Sequence, residues 1–174
     1  MPAIVFRPAS LADIDSIIAL VTSAYRGDAS RQGWTTEADL LDGQRVDAEG
    51  LRHDIQRPQS LILLALHDGE LLACAHLAID EGAGYFGMFA VSPDRQGSGL
   101  GKQVMAEAER LVRDEWKLPA MRMTVIDVRD ELISFYERRG YVRTGIKKPF
   151  PYGDERFGIP RRDDLRFEIL EKTL

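Results

Sequence analysis

The spacing of hydrophobic and polar positions along the chain predicts strands and helices in alternation. Apolar residues recur at helical spacing over residues 10–25, and Ser10 with Asp13 forms a capping pair at the start of that segment. Further helices are predicted at 47–56, 100–116 and 131–139. Strands are predicted at 3–7, 61–66, 71–79, 84–91, 121–126, 142–144 and 165–170.

The predicted order, β-α-α-β-β-β-α-β-α-β-β, indicates an α/β fold whose central sheet is mixed, partly antiparallel and flanked by helices. The pair Asp68-Gly69 predicts a tight antiparallel hairpin. The strand–helix–strand unit at 84–126 requires a parallel crossover. No repeat or linker divides the chain, so we expect a single domain over residues 1–174.

Composition narrows the class of protein. Hydrophobic residues make up 44% and charged residues 29% of the 174 positions, which is typical of a folded chain. The net charge of −5 argues against a nucleic-acid partner, which requires a concentrated positive surface. No apolar run reaches the roughly 20 residues of a membrane span, and the N-terminus lacks the apolar region of a signal peptide. We therefore expect no membrane partner and a cytoplasmic protein.

Cysteine and histidine give no sign of a metal or a disulfide. Cys74 is alone, so no internal disulfide can form, and no Cys/His cluster has the spacing of a zinc site. The three histidines fall on a predicted helix, a turn and a strand, where surface or packing roles are expected. We expect no metal.

The most informative segment is a glycine turn between a predicted strand and a predicted helix, QGSGLGK at residues 96–102. Glycines there let the backbone approach a ligand, and amides of the first helical turn point at an anion such as a pyrophosphate. A glycine-rich turn without a ligand is the alternative. A Walker loop is excluded because only three residues separate Gly97 from Gly101, and a G-x-G-x-x-G fingerprint is excluded because its last glycine would be Lys102.

Two segments resemble one known family. The glycine turn matches the pattern Q/R-x-x-G-x-G/A, and the run MFAVSPDRQGSGLG that contains it resembles the coenzyme A signature of the GNAT superfamily of N-acetyltransferases. The run FYERRGY at residues 135–141 resembles that superfamily's second signature, one helix and one strand further on. The predicted element order agrees over residues 3–170.

The resemblance implies a GNAT-like fold and acetyl-CoA as cosubstrate. It assigns the pyrophosphate to the glycine turn, mainly through backbone amides, and the pantetheine arm and thioester carbonyl to the end of the preceding strand. These cofactor-binding positions are Phe89, Ala90, Val91, Gln96, Gly97, Ser98, Gly99, Leu100, Gly101 and Lys102.

The resemblance also implies catalytic roles. Tyr136 matches the position of a tyrosine that protonates the departing thiolate, although a helix tyrosine packed on the sheet is the alternative. Arg129 stands where the family commonly has an asparagine that contacts the coenzyme, and it either reaches a coenzyme phosphate or is a solvated helix-start residue. The general base is expected to be Asp127, with Asp80, Glu81 or water alone as alternatives.

The acceptor is expected to be a small, amino-acid-like amine. In the family the segment between the first two helices borders the acceptor, which here assigns Arg31, Trp34 and Glu37 to substrate binding. The segment 149–162 either closes the site or builds a homodimer contact. Two other functions stay open at this stage: acetylation of proteins or peptides, and acyl-CoA sensing without turnover.

Overall fold

The computed structural model describes residues 3–25, 41–42, 46–150, 152 and 159–174. Within these residues a seven-stranded mixed sheet forms, with strand order β1-β3-β4-β5-β6-β9-β7. Its strands are β1 (Val5–Pro8), β3 (Ser60–His67), β4 (Glu70–Asp80), β5 (Ala83–Val91), β6 (Ala120–Ile126), β7 (Val142–Pro149) and β9 (Arg166–Thr173). A two-stranded ladder of β2 (Leu41–Asp42) and β8 (Ile159–Pro160) stands apart from the sheet.

Four helices flank the sheet: α1 (Ile14–Tyr25), α2 (Ala48–Gln56), α3 (Leu100–Arg110) and α4 (Asp130–Glu137). The expected capping pair is present, because the Ser10 amide donates to Asp13 Oδ2 at 2.8 Å before a 3₁₀ turn, Leu11–Asp13, that leads into α1. Asp47 caps α2 by accepting from the Gly50 amide at 2.7 Å.

The core lies on both faces of the sheet. On one face α1 and α2 cover alternate residues of the central strands, among them Ile62, Cys74 and Ala90. On the other face α3 and α4 pack on Ala75, Phe86 and their neighbours. Strand residues of opposite parity therefore face different helices, as the period of two in a strand requires. The expected fold class is confirmed.

The hairpin and the crossover form as expected. β3 and β4 pair antiparallel around Asp68 and Gly69, both with positive φ, and β5 pairs parallel with β6. The long helix differs at its end, since α3 continues into a single π-helical stretch, Leu111–Glu115. Within the described residues no helix has the length and apolarity to cross a membrane.

The prediction for β7 was too short. It was expected over 142–144 but extends to Pro149, and its ladder with β9 contains a register shift between Arg143 and Lys147. All eight β7 residues are exposed because β7 is an edge strand. Such a strand has no alternation of hydrophobic and polar residues, so the sequence pattern could not show its length.

Candidate active site

The glycine turn joins β5 to α3 in a conformation suited to glycine. Gly97 and Gly99 have φ angles of 86° and 87°, which residues with a side chain rarely adopt. Gly99 is the N-cap of α3, so the amides of the first helical turn have no acceptor within the helix. The Gln96 side-chain amide donates to the Val91 carbonyl at 3.1 Å and holds the turn against the end of β5. Backbone N–H groups and the positive end of a helix dipole thus lie together.

A cleft of about 310 Å³ opens beside the glycine turn, and we call it the turn cleft. Three of its lining side chains are cations and one is a carboxylate. The lining residues are Phe89, Val91, Gln96, Gly97, Gly99, Gly101, Lys102, Glu131, Phe135, Arg138 and Arg139. The turn cleft therefore has the charge and the backbone donors that a phosphate-bearing ligand needs.

Arg139 shows that the turn cleft fits such a ligand. Its NH1 donates to the Phe135 carbonyl at 3.0 Å, and the guanidinium carbon lies 4.0 Å from the centroid of the Phe135 ring. Its Nε is buried and has no hydrogen-bond partner among the described residues. Burial, together with Arg138, lowers the pKa of Arg139. A buried donor without an acceptor is costly, and an anion in the cleft would supply that acceptor.

Next to the turn cleft, β5 and β6 separate. They pair only at Gly84 with Met121 and at Tyr85 with Arg122. Beyond these pairs a cavity of about 50 Å³ lies between the strands, and we call it the split cavity. Its walls are Tyr25, Phe86, Gly87, Met88, Phe89, Met123, Thr124, Val125, Ile126, Arg129, Leu132, Tyr136 and Phe167. The edge of β5 that lines this cavity has no neighbouring strand to take up its backbone hydrogen bonds.

A β-bulge in β5 lies at the separation. Cys74 pairs with Ala90 and His76 pairs with Gly87, so one residue of β4 stands opposite both Met88 and Phe89. Met88 has a positive φ of 48° and packs on the α1–α2 face of the sheet, while Phe89 packs on the α3–α4 face. The bulge therefore exposes β5 to cavities on both faces.

Two tyrosines reach the split cavity from different helices. The Tyr25 hydroxyl, at the end of α1, donates to the Phe89 carbonyl. Tyr136 of α4 is 3% exposed, and its ring centroid lies 6.4 Å from that of Phe89 and 6.1 Å from that of Tyr141. A phenol is thus held at the cavity wall by aromatic packing.

A third cavity, of about 570 Å³, lies on the α2 face, and we call it the α2 cavity. Among the described residues its lining has three carboxylates and no lysine or arginine. The residues are Val46, Asp47, Glu49, Gly50, Leu51, His53, Asp54, His76, Tyr85 and Met88. Phe89 lines both the turn cleft and the split cavity, and Met88 lines both the split cavity and the α2 cavity. The bulge therefore lies between a cationic cleft and an acidic cavity, with one of its residues in the lining of each.

A family model described as "Acetyltransferase (GNAT) family" matches residues 20–141, which include the glycine turn, the bulge and most of the residues of all three cavities. The chain belongs to the GNAT family. The expected family is thus confirmed. Among curated relatives, S-(2-succino)cysteine N-acetyltransferase of Bacillus subtilis (strain 168) is 35% identical over 86 residues, 45% of this chain and 52% of that protein. The GNAT chain thus matches about half the length of this relative.

Solved structures show the same GNAT fold at low sequence identity. The ribosomal-protein-S18-alanine N-acetyltransferase from Escherichia coli superposes with a TM-score of 0.70 at 13% identity, covering 98% of this chain and 94% of that one. The paia N-acetyltransferase from Thermoplasma acidophilum, solved in complex with coenzyme A, superposes with a TM-score of 0.68 at 20% identity and covers 99% of both chains.

Most of the cofactor-binding positions expected from the GNAT resemblance lie together at the turn cleft. Three of them place their side chains elsewhere. Ala90 is buried on the α1–α2 face, Leu100 is buried in the core, and the Ser98 hydroxyl donates to the Arg95 carbonyl at 2.6 Å. The side chains of Ala90 and Leu100 are therefore out of reach of a ligand in the turn cleft, and the use of backbone amides at these positions stays a prediction.

Arg129 lies in a different place from the glycine turn. It is the N-cap residue of α4, lines the split cavity, and its guanidinium carbon is 5.6 Å from the centroid of the Tyr25 ring. It is not among the residues that line the turn cleft. Arg129 therefore shares the walls of the split cavity with Tyr136 rather than lying beside the amides of the turn.

The carboxylates expected as bases are not at the cavities. Asp127 follows β6 as predicted, but its side chain is 8% exposed and pairs with Lys147 Nζ at 3.3 Å and Arg166 NH2 at 3.1 Å. It lines none of the three cavities. Asp80 and Glu81 are exposed in the turn before β5, five or more residues, roughly 17 Å, from the bulge. Their positions give no support to a catalytic role.

The expected substrate-binding residues Arg31, Trp34 and Glu37 lie outside the described residues, as does half of the segment 149–162. No group of three or more His, Cys, Asp or Glu side chains that could hold a metal ion occurs in the described part of the chain.

The sequence reasoning missed several residues that line the cavities. Arg138 and Arg139 stand inside FYERRGY, so the motif contained the signal for two cations beside the turn cleft. Tyr25 was predicted only as part of the buried face of α1. His76 gave no signal, because its partners Asp54 and Ser60 reach it only when α2 packs on the sheet.

Proposed function

We propose that this GNAT chain is an acetyl-CoA-dependent N-acetyltransferase that transfers an acetyl group to a small primary amine by direct attack in a ternary complex. The observation that carries the proposal is that Met88 and Phe89, the two residues of the bulge, border all three cavities. A phosphate-bearing cosubstrate and a cationic acceptor would then meet at the bulge from opposite faces of the sheet.

The turn cleft suits coenzyme A. Its pyrophosphate would accept from amides of the glycine turn and the first turn of α3, where the helix dipole favours negative charge. Lys102, Arg138 and Arg139 supply the positive charge that a chain of net −5 lacks overall. The buried Nε of Arg139 would gain its missing acceptor.

The split cavity suits the reacting end of the cosubstrate, which supplies the acyl carbon as a thioester. An amide of the bulged segment Phe89–Val91 would donate to the carbonyl oxygen, because β6 has left that edge of β5. A preorganised donor of this kind is worth about 10²–10³ in rate. Tyr136, at the cavity wall, would give its hydroxyl proton to the departing sulfur as the carbon–sulfur bond breaks, and would regain a proton from solvent.

The α2 cavity suits the acceptor. Its three carboxylates would attract an ammonium group, and only Asp54 among them is paired with an arginine, Arg57, within the described residues. The S-(2-succino)cysteine N-acetyltransferase relative supports an amino-acid-like acceptor, because the substrate in its name carries a primary amine on an amino acid. Arg31, Trp34 and Glu37 remain predicted contributors to this specificity. Unchanged turnover of small amines by an Arg31→Ala, Trp34→Ala double variant would exclude these residues from acceptor binding.

The proposal is tested with acetyl-CoA and a panel of small amines, amino acids and peptides, read by thiol release and product mass. We expect thiol release with at least one small amine and a product heavier by one acetyl group. A rise in melting temperature with acetyl-CoA but no thiol release from any acceptor would instead indicate an acyl-CoA sensor. Turnover of peptides alone would indicate a peptide N-acetyltransferase.

A further inference from the structure

His76 is a buried polar residue that the proposed transfer does not yet use. It lies on β4, is 7% exposed, and points to the α1–α2 face of the sheet, where its ring lines the α2 cavity. Its ring contacts that of Tyr85 edge to face, with 5.7 Å between centroids. Buried polar groups usually have every donor and acceptor satisfied, so the hydrogen bonds of this imidazole are informative.

Ser60 determines which nitrogen of His76 carries the proton. The Ser60 hydroxyl lies 2.7 Å from the Asp54 backbone carbonyl and 2.8 Å from His76 Nε2. A carbonyl oxygen can only accept a hydrogen bond, so the Ser60 hydroxyl donates its single proton to the backbone carbonyl of Asp54. Ser60 must therefore accept from Nε2–H. In the neutral imidazole the other ring nitrogen, Nδ1, then carries the lone pair, and the hydrogen bond and ion pair found for this ring among the described residues both involve Nε2.

The charges around His76 keep it neutral yet able to take a proton. Burial is the main cause that lowers the pKa of His76 from its ordinary value, and Arg57 and His53 of the α2 segment lower it further. Asp54 acts in the opposite direction, with Oδ1 3.8 Å from Nε2, and also pairs with Arg57 at 3.5 Å. The imidazole is thus unprotonated at neutral pH, and a carboxylate is placed to stabilise the imidazolium.

His76 is also close to the bulge. It stands directly opposite Gly87 in the β4–β5 ladder, where paired Cα atoms are about 4.5–5.5 Å apart, and Gly87 lines the split cavity. A Cβ on Gly87 would lie 2.2 Å from the Tyr85 hydroxyl, so the missing side chain leaves the space that this hydroxyl occupies. Tyr85 itself lines the α2 cavity. The Tyr85 hydroxyl therefore lies against Gly87, a residue of the split cavity, while the Tyr85 ring contacts the imidazole.

We propose that Nδ1 of His76 accepts the proton that the acceptor ammonium must lose before its nitrogen can attack. The Tyr85 hydroxyl, or a water bound to that hydroxyl, would relay the proton from the ammonium to Nδ1. The inference rests on the proposed function and names the base that it lacks. The ammonium gives one proton to His76, the free amine nitrogen bonds to the acyl carbon, and the carbon–sulfur bond breaks. The nitrogen then loses a second proton as the sulfur gains one, and His76 releases its proton to solvent. At pH 7 only about one molecule in 10³ of an amine of pKa about 10 is neutral, so attack depends on a route by which the ammonium loses its proton in the site.

The test compares two acceptors of similar size, ethylamine, which is protonated at pH 7, and 2,2,2-trifluoroethylamine, which is not. We expect His76→Gln to lower kcat/KM for ethylamine by about 10²-fold and to leave kcat/KM for the fluorinated amine within about threefold. The glutamine keeps a donor for Ser60 but has no basic nitrogen. His67→Gln, a change at the half-buried end of β3, is the matched control and should alter neither rate.

A second measurement needs no cosubstrate. In nitrogen NMR of the protein alone, His76 should be the Nε2–H tautomer at neutral pH and should titrate below its ordinary value. Asp54→Asn should move that titration to still lower pH, because the carboxylate that favours the imidazolium is gone.

The role of His76 would be overturned if His76→Gln lowered kcat/KM equally for both amines or for neither of them. A proton on Nδ1 of the neutral ring would overturn it as well. Wild-type protein that releases no thiol with these or any other amine would instead overturn the proposed function, and the role of His76 with it. The two failures are thus distinguished by whether the wild-type protein turns over.

Discussion

Tyr136 and Tyr141 are neighbouring buried tyrosines in different chemical settings. The Tyr141 hydroxyl donates to Glu109 at 2.9 Å, and burial together with that carboxylate raises the pKa of Tyr141 far above its ordinary value. Tyr141 is therefore a poor proton donor and is absent from the walls of the split cavity. Tyr136, whose ring centroid is 6.1 Å away, is part of those walls. The difference makes Tyr141 a control for Tyr136.

Tyr136→Phe should lower kcat by about 10²-fold or more with little effect on coenzyme affinity, because only the hydroxyl is lost and the ring packing remains. Steady-state kinetics of thiol release and calorimetric titration with coenzyme A measure the two quantities. Tyr141→Phe should leave kcat within about threefold. Wild-type turnover by Tyr136→Phe would show that the departing sulfur takes its proton from elsewhere.

Asp127 illustrates what residue identity alone leaves open. Its place after β6 was predicted correctly, and a carboxylate at the end of a strand is a reasonable candidate for a base. The structure instead brings Lys147 of β7 and Arg166 of β9 to its oxygens. Those partners come from parts of the chain 20 and 39 residues away in sequence, so no local pattern could indicate them.

At the scale of elements, the glycine turn depends on backbone conformation. Gly99 has a φ of 87°, and the space around a Cβ there is open within 4 Å. Gly82, in the turn between β4 and β5, has a φ of 79° and equally open space. A side chain would strain both positions equally, but only Gly99 lies at the turn cleft.

Gly99→Ala and Gly82→Ala should each lower the free energy of unfolding by about 1–2 kcal/mol, measured by urea denaturation. Gly99→Ala should also weaken binding of coenzyme A by about tenfold or more, because relief of the strain rotates the first-turn amides. Gly82→Ala should not. Equal coenzyme affinity in both variants would mean that the amides of the glycine turn do not hold the ligand.

The ladder of β6, β9 and β7 contains a buried acid. Glu168 of β9 is 2% exposed and is bonded by Arg143 NH2 at 2.6 Å and Lys147 Nζ at 2.7 Å, both from β7. These two cations lower the pKa of Glu168 to about 2. Because the unfolded chain has the higher pKa, this carboxylate stabilises the fold above about pH 4.5, and that contribution is lost as the pH falls toward 2.

Glu168→Gln should lower the free energy of unfolding at pH 7 by about 2 kcal/mol, since charged hydrogen bonds to two cations are lost. The difference between variant and wild type should shrink as the pH falls toward 2, followed by urea denaturation across the pH range. Glu171→Gln, which removes a half-exposed pair with Arg122, should cost less than about 1 kcal/mol. A pH-independent difference would show that packing, rather than charge, accounts for the loss.

At the scale of the whole molecule, charge is separated between the two faces of the sheet. The chain carries −5, yet within its described part the turn cleft has three cations for one carboxylate, and the α2 cavity has three carboxylates with no lysine or arginine. The net charge therefore says little about the ligand. Each cavity attracts ions of one sign, and the bulge is the point where the two fields meet.

Affinity for coenzyme A should fall as salt rises, because the Debye length shortens from about 10 Å at 0.1 M to about 3 Å at 1 M. Arg138→Gln should weaken binding at low salt and flatten this dependence in calorimetric titrations. Arg113 lies outside the turn cleft and pairs with Asp114. Arg113→Gln also removes one positive charge, but it should change neither the affinity for coenzyme A at low salt nor its salt dependence. Identical salt dependence in all three proteins would place the coenzyme phosphates away from Arg138.

Much of the fold could be predicted because local patterns encode local structure. The helical spacing over 10–25, the Asp68-Gly69 turn and the parallel crossover were all found where expected. The failures occurred where the pattern is absent. β7 is exposed along its whole length, and the ladder of β2 and β8 involves two residues from each strand. Such short or solvated segments are defined by their partners.

The sequence by itself determined the order of elements, the glycine turn and the family, because each is written in contiguous residues. Only the tertiary structure decided what those residues face. The separation of β5 from β6, the bulge between the cavities and the cations around Arg139 all depend on packing between distant segments. The same is true of His76, whose tautomer follows from Ser60 and Asp54 on other elements. The charges and proton positions at the candidate site depend on distances between helices and strands, and those distances are set only when the chain folds.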